Sequence, residues 1–172
     1  MKILNIHGYH GSSENSACYV LKDIGCEVIS PALDYDSESP DKILKKLYSI
    51  IDENKPDAIT GTSYGGFFAV LLSIRSNLPV ILINPCLMPF VYLPRLGYKQ
   101  DIKDFFPLFS MLSDIDINKV STIIGGNDEI IDTHDFTKKL LYNDRFVVFP
   151  EGRHSGATLP INEFFTDILK NI

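Results

Sequence analysis

Gly61-Thr62-Ser63-Tyr64-Gly65-Gly66 is the stretch of this chain whose reading decides the fold. The apolar run Asp57-Ala58-Ile59-Thr60 precedes it, and Phe67-Phe68-Ala69-Val70-Leu71-Leu72 follows. A strand, a Gly-x-Ser-x-Gly turn and a helix in that order are the signature of a nucleophile elbow, which lifts a serine hydroxyl out of a sharp strand-to-helix turn. The serine backbone is held in a strained conformation, and a side chain two residues either way would crowd the turn. The segment therefore predicts a serine nucleophile mounted on an α/β sheet.

Working outward, apolar strand-like runs occur at residues 2–6, 27–30, 57–61, 79–84, 120–125 and 145–149. They are short, rich in Ile and Val, and not strictly alternating, as strands buried on both faces of a parallel sheet are. Helix-like segments lie between them. Residues 41–53 carry Ile43, Leu44, Leu47, Ile50 and Ile51 as a 3.6-period stripe, and 133–142 and 161–169 are similar. Pro40 and Pro160 stand where helices begin, as the fixed φ of proline favours. The alternation predicts right-handed crossovers and about six parallel strands covered by helices on both faces. Residues 85–118 break the rhythm with four prolines and many large apolar residues, and are expected to form a small lid or an elaborated helix at a pocket edge.

With 172 residues, the expectation is one domain spanning 1–172. At this size roughly 70% of the unfolded surface can be buried without disulfides or metals. The formal net charge of −6 and the absence of a basic cluster argue against nucleic acid as a main partner. No apolar run approaches the roughly 20 residues that span a bilayer, so membrane insertion is not expected. The apolar run at residues 3–6 is too short for a signal peptide's core, and a cytoplasmic location is expected. Cys18, Cys26 and Cys86 have no metal-like spacing and read as small buried hydrophobes. No metal or cofactor is expected.

A serine hydroxyl needs a base to take its proton, and that base needs a carboxylate to orient it. In sheets of this kind working residues lie beyond the carboxyl ends of the strands. Ser63 lies after the third predicted strand, Gly126-Asn127-Asp128-Glu129 after the fifth and Gly152-Arg153-His154 after the sixth. The resulting order Ser63, Asp128, His154 is that expected of an α/β-hydrolase. Glu129 and Asp132 are rivals for the acid. His134 falls inside a helical pattern and is expected to be solvated. After the first strand comes His7-Gly8-Tyr9-His10-Gly11-Ser12. Oxyanion donors are expected from the backbone N–H of Tyr64, the residue after the nucleophile, and of Tyr9 in this loop. His7 reads as structural, and His10 as a residue of the pocket mouth.

Together these residues resemble the YqiA-like esterase family of small α/β-hydrolases over nearly the whole chain. The signposts are Ile6-His7-Gly8-Tyr9, Gly61-Thr62-Ser63-Tyr64-Gly65-Gly66-Phe67, Ile83-Asn84-Pro85, Gly126-Asn127-Asp128-Glu129 with Asp132, and Glu151-Gly152-Arg153-His154. The resemblance implies a minimal α/β-hydrolase fold, with Ser63, Asp128 and His154 as nucleophile, acid and base. It also implies hydrolysis of carboxylic esters, with short acyl esters or thioesters as substrates. Tyr9 stands where phenylalanine is common in the family and Tyr64 where leucine is common, changes expected to alter pocket polarity. Residues 85–118 are not closely matched. Their apolar side chains, with Leu87, Met88, Phe90 and Phe109 among them, are expected to bind the acyl chain beside His10. A non-catalytic module that retains the fold, and an amidase or peptidase using the same triad, are the alternatives. The partner expected is a small-molecule acyl ester or thioester.

Overall fold

A computed structural model describes all 172 residues. Six strands, β1 (Lys2–Ile6), β2 (Glu27–Ile29), β3 (Ala58–Thr62), β4 (Val80–Ile83), β5 (Val120–Gly125) and β6 (Phe146–Phe149), form one sheet in the order β2-β1-β3-β4-β5-β6. Every neighbouring pair is parallel. Seven α-helices cover it: α1 (Ser16–Asp23), α2 (Pro40–Asn54), α3 (Tyr64–Ser76), α4 (Pro89–Tyr92), α5 (Phe105–Ser110), α6 (Asp135–Leu141) and α7 (Ile161–Ile168). This is the α/β-hydrolase architecture anticipated from the elbow.

Strand periodicity decides which core each apolar side chain joins. The register aligns Leu4 with Ile59, Ile59 with Val80 and Val80 with Val120. That row across four strands faces α2, α3 and α5 in the larger of two hydrophobic cores. The opposite parity, with Ile3, Ala58, Ile81, Ile83 and Ile123, meets α1 and α7 in the smaller core. Helix α2 begins with Pro40 in its first turn and buries Ile43, Leu44, Leu47 and Ile51. It stops at Lys55, whose left-handed backbone (φ 50°) turns its N–H back to the Ile51 carbonyl. Helix α3 is buried without interruption from Tyr64 to Ser73, as a helix clamped against the centre of a sheet must be.

Most element boundaries differ from expectation by one or two residues, two of them for plain local reasons. The third strand starts one residue later, at Ala58. Asp57 instead caps the start of β1: its carboxylate accepts the Lys2 N–H at 2.7 Å and its own N–H donates to the Lys2 carbonyl. The sixth helix starts at Asp135, because His134 has left-handed backbone (φ 55°) and cannot belong to it. Residues 85–118 hold α4, α5 and four short 3₁₀ turns at Leu93–Leu96, Ile102–Asp104, Met111–Asp114 and Ile117–Lys119. Leu87, Leu93, Phe105, Leu108 and Leu112 from this stretch are buried in the larger core. No helix is long and apolar enough to cross a membrane.

Candidate active site

Strand β3 ends at Thr62, α3 starts at Tyr64, and Ser63 between them has φ 53° and ψ −123°. That conformation is costly for a residue with a Cβ and persists only where neighbours over-determine it. Here three hydrogen bonds do so. The Ser63 N–H donates to the Ile83 carbonyl at 3.0 Å, and the Ser63 carbonyl accepts from the N–H groups of Gly66 and Cys86, each at 2.9 Å. The flanking glycines answer to space. A Cβ on Gly65 would overlap the carbonyl oxygens of Ile6 and His7, and one on Gly61 would lie 2.5 Å from the Gly65 carbonyl oxygen.

The loop after β6 carries His154 to this serine. Its Nε2 lies 2.9 Å from Ser63 Oγ, and its Nδ1 lies 2.8 and 3.0 Å from the two carboxylate oxygens of Asp128. With Nδ1 protonated and donating to Asp128, Nε2 is free to accept from the serine hydroxyl. The structure thus brings Ser63, His154 and Asp128 into one hydrogen-bonded chain. Asp128 Oδ1 also accepts the N–H groups of Ile130 and Ile131, both at 2.8 Å. Burial disfavours its charge, but donors from His134, His154 and the Ile131 backbone outweigh that and hold its carboxyl well below the usual carboxylate range.

The two rival acids take other places. Glu129 Oε2 accepts the backbone N–H of His154 at 3.1 Å and lies 3.5 Å from Arg153 Nε, so it steadies the loop rather than the imidazole. Asp132 is exposed with left-handed backbone (φ 62°) and makes no side-chain hydrogen bond to His154. His134, expected in solvent, is instead buried, and its Nε2 lies 2.8 Å from Asp128 Oδ2. The turn at residues 132–134 folds its ring inward where a continuing helix would have carried it elsewhere.

Asn84, at the end of β4, was not singled out for any role and proves central. It is fully buried, and its amide nitrogen donates to the carbonyls of Arg153 and His154, each at 2.8 Å. Its Oδ1 accepts the Gly125 N–H at 2.7 Å. One side chain thereby ties the ends of β4 and β5 to the histidine loop. A polar residue closing a buried apolar strand must have partners, but nothing near Asn84 in the sequence identifies them.

The loop after β1 lies against Ser63, with an ideal Cβ on Gly8 placed 3.4 Å from Ser63 Oγ. His7 braces it. Its Nδ1 donates to the Gly8 carbonyl at 2.8 Å and its Nε2 accepts the Leu33 N–H at 3.1 Å, which fixes the neutral tautomer. Burial pushes its pKa down accordingly. The Tyr35 hydroxyl donates to the His7 carbonyl at 2.6 Å. The Tyr9 N–H has no acceptor in the chain, and the Tyr64 N–H is one of the unpaired donors of the first turn of α3. Both tyrosine side chains leave the cleft's chemistry to the backbone. Tyr64 is wholly buried among Tyr35, Phe67, Phe68, Tyr98 and Phe105, and so does not alter pocket polarity. The Tyr9 hydroxyl donates to Asp36 at 2.7 Å, and its ring stacks on His10 with centroids 4.0 Å apart.

A cleft of about 400 Å³ opens over Ser63. Its walls are Gly8 to Ser12, Asn15, Ser16, Thr62 and His154 to Gly156, with Tyr9 the single hydrophobic residue. His10 is among the residues that line it. Leu87, Met88, Phe90 and Phe109 do not, which corrects the expected acyl pocket. Leu87 is core, and Leu87 and Met88 border a separate void of about 10 Å³. Phe90 and Phe109 pack on one another with centroids 5.0 Å apart. Both pack against the larger core. No group of three or more His, Cys, Asp or Glu side chains is arranged to hold a metal ion.

The chain belongs to the Uncharacterised protein family (UPF0227), which matches residues 2–104, a span that includes the elbow and the loop after β1. Its fold is that of known α/β-hydrolases. The ferulic-acid-bound Est1E from Butyrivibrio proteoclasticus is 17% identical with a TM-score of 0.69, over 99% of this chain and 90% of that one. A putative hydrolase of the α/β superfamily from Xanthomonas campestris pv. campestris is 16% identical with a TM-score of 0.69, over 99% of both chains. A putative lipase from Acinetobacter baumannii is 17% identical with a TM-score of 0.69, over 98% of this chain and 83% of that one.

Proposed function

We propose that this chain is a cytoplasmic serine hydrolase that cleaves carboxylic esters or thioesters of small molecules through an acyl-enzyme. The observation that carries the reading is the continuous chain from Ser63 Oγ through His154 to Asp128, built on a strained elbow. His154 Nε2 takes the Ser63 proton as Oγ attacks the acyl carbonyl, and Asp128 holds the imidazole in the required tautomer and stabilises its charged form. The free N–H groups of Tyr9 and Tyr64 receive the oxyanion, aided by the positive end of α3. His154 then protonates the leaving group, and water, activated by the same nitrogen, releases the acid.

The cleft's polar walls make the preferred acyl group short. Burying a methylene contributes about 0.8 kcal/mol, so six more methylenes, from acetyl to octanoyl, would add about 5 kcal/mol in an apolar slot. With Tyr9 the single apolar wall, little of that is available.

A fluorophosphonate probe tests the reaction class. Wild-type protein should label and Ser63→Ala should not; a wild type that fails to label under conditions that label a known serine hydrolase would overturn the proposal. Aryl acetate and octanoate should then show similar kcat/KM, or a preference for acetate. A strong octanoate preference would place an acyl site outside the cleft described here.

A further inference from the structure

The Ser63–His154–Asp128 chain does not end at Asp128. Asp128 Oδ2 is approached by two imidazoles, His154 Nδ1 at 2.8 Å and His134 Nε2 at 2.8 Å. The side chains of His134 and Asp128 are both fully shielded from solvent. The contact requires a proton on His134 Nε2, because an ionised carboxylate only accepts. The other ring nitrogen, Nδ1, is buried with no hydrogen-bond partner in the chain, and the residue borders a small void shared with Leu87, Met88, Tyr92, Ile131, Phe136 and Thr137. With its Nε2–H given to Asp128, the neutral ring leaves only this acceptor unpaired; the other tautomer would set two acceptors, Nε2 and the carboxylate, against each other and leave an N–H unpaired as well. The backbone is committed to this arrangement as well. His134 has φ 55°, a conformation that histidine reaches more readily than most residues but that a helix interior would not contain.

We propose that His134 is a positioning residue for the reaction at Ser63, holding the Asp128 carboxylate through a donated Nε2–H so that it faces His154 Nδ1. Without that donor the carboxylate keeps the Ile130 and Ile131 N–H groups on Oδ1, and Oδ2 is left to His154 alone. It can then rotate about the Oδ1 anchor and take His154 with it. The role acts through Asp128, so His134 itself touches no reacting atom. It rests on the reading of Ser63 as nucleophile.

Two variants and one measurement on the unaltered protein test this. His134→Leu keeps bulk and removes the donor; His134→Gln keeps an amide N–H at comparable reach. With an aryl acetate, H134L should lose on the order of ten- to a hundredfold in kcat, the cost of misplacing a catalytic group by about an ångström, with KM changed less than about twofold. H134Q should recover most of the loss. H134L at wild-type kcat, or equal losses in both variants that track melting temperature, would overturn the proposal. In the wild type labelled with ¹⁵N-histidine, His134 should carry its proton on Nε2; the Nδ1–H tautomer would overturn it too, and this readout stands even where H134L fails to fold. Failure of the underlying reading looks different: the wild type itself then does not label with fluorophosphonate, and no variant comparison is needed.

Discussion

Asn84→Ala removes three hydrogen bonds at once, and each has a definable consequence. The Gly125 N–H loses its acceptor in a fully buried setting, which costs about 1–3 kcal/mol. The Arg153 and His154 carbonyls lose donors in a partly buried setting, at about 0.5–1.5 kcal/mol each. Asn84 also has φ 44°, which alanine adopts at an extra cost of about 1 kcal/mol. The sum is about 3–7 kcal/mol, against a total stability of about 5–15 kcal/mol for a typical domain. Turnover should fall further than stability alone requires, because the two carbonyls flank and include His154. Loosening them by about an ångström should cost on the order of a hundredfold in kcat. Asn84→Asp addresses the amide itself. It keeps an oxygen for Gly125 but turns an oxygen toward both carbonyls in place of the amide hydrogens. Urea unfolding should show N84D losing at least as much stability as N84A, because a buried carboxylate would face two carbonyl oxygens, while kcat falls in both. If N84D retains wild-type kcat and melting temperature, the amide is not what holds the histidine loop, and the role assigned to Asn84 is wrong.

Two further outcomes follow from the same geometry. Gly65→Ala places a Cβ onto the Ile6 and His7 carbonyls, backbone atoms that the sheet and the His7–Tyr35 contacts hold in place; it should cost about 3 kcal/mol or more, read as a lowered urea midpoint. Asp128→Asn should lose about four orders of magnitude in kcat while Asp132→Asn stays near wild type, and the reverse result would transfer the acid role. Asp128 also links to pH: its carboxyl is depressed in the folded state, so its stabilisation is present above the ordinary carboxylate pKa near 4 and is lost as pH falls through the folded value. Acid titration of stability below about pH 4 should therefore be shallower in D128N, and an unchanged slope would count against the depressed carboxyl.

Elbow, six parallel strands and the succession Ser63, Asp128, His154 were legible because each has a local cause. A turn that tight demands glycine at 61 and 65, and parallel strands buried on both faces demand unbroken apolar runs. Asn84 was illegible because its partners lie 41 to 70 residues away, beyond any periodicity. His134 misled for a subtler reason. Its spacing fits a helical stripe, and only the left-handed backbone immediately before α6 turns it inward. The 85–118 stretch announced burial correctly but not against what. Apolar composition says that a surface must be covered; here Leu87 is buried in the larger core with Phe90 and Phe109 packed against it, Leu87 and Met88 border the void beside His134, and none of the four lines the cleft over Ser63.

Backbone strain locates the same site without reference to any motif. Seven non-glycine residues have positive φ: His10, Lys55, Ser63, Asn77, Asn84, Asp132 and His134. Lys55 and Asn77 close the C-termini of α2 and α3, where left-handed residues are ordinary. The other five all lie in loops beyond the carboxyl ends of β1, β3, β4 and β5. Such conformations cost of order 1–3 kcal/mol at their worst and survive where surrounding contacts over-determine them. At Ser63 three backbone hydrogen bonds do so, at Asn84 three side-chain bonds, and at His134 the buried contact with Asp128. Three of those five residues, Ser63, Asn84 and His134, are thus the serine itself and the groups that hold the histidine loop and the carboxylate. A fold that needed only stability could relax each of them with a glycine or a longer loop. Their concentration around one hydroxyl is an argument that the rigidity serves the placement of Ser63 Oγ against His154 Nε2.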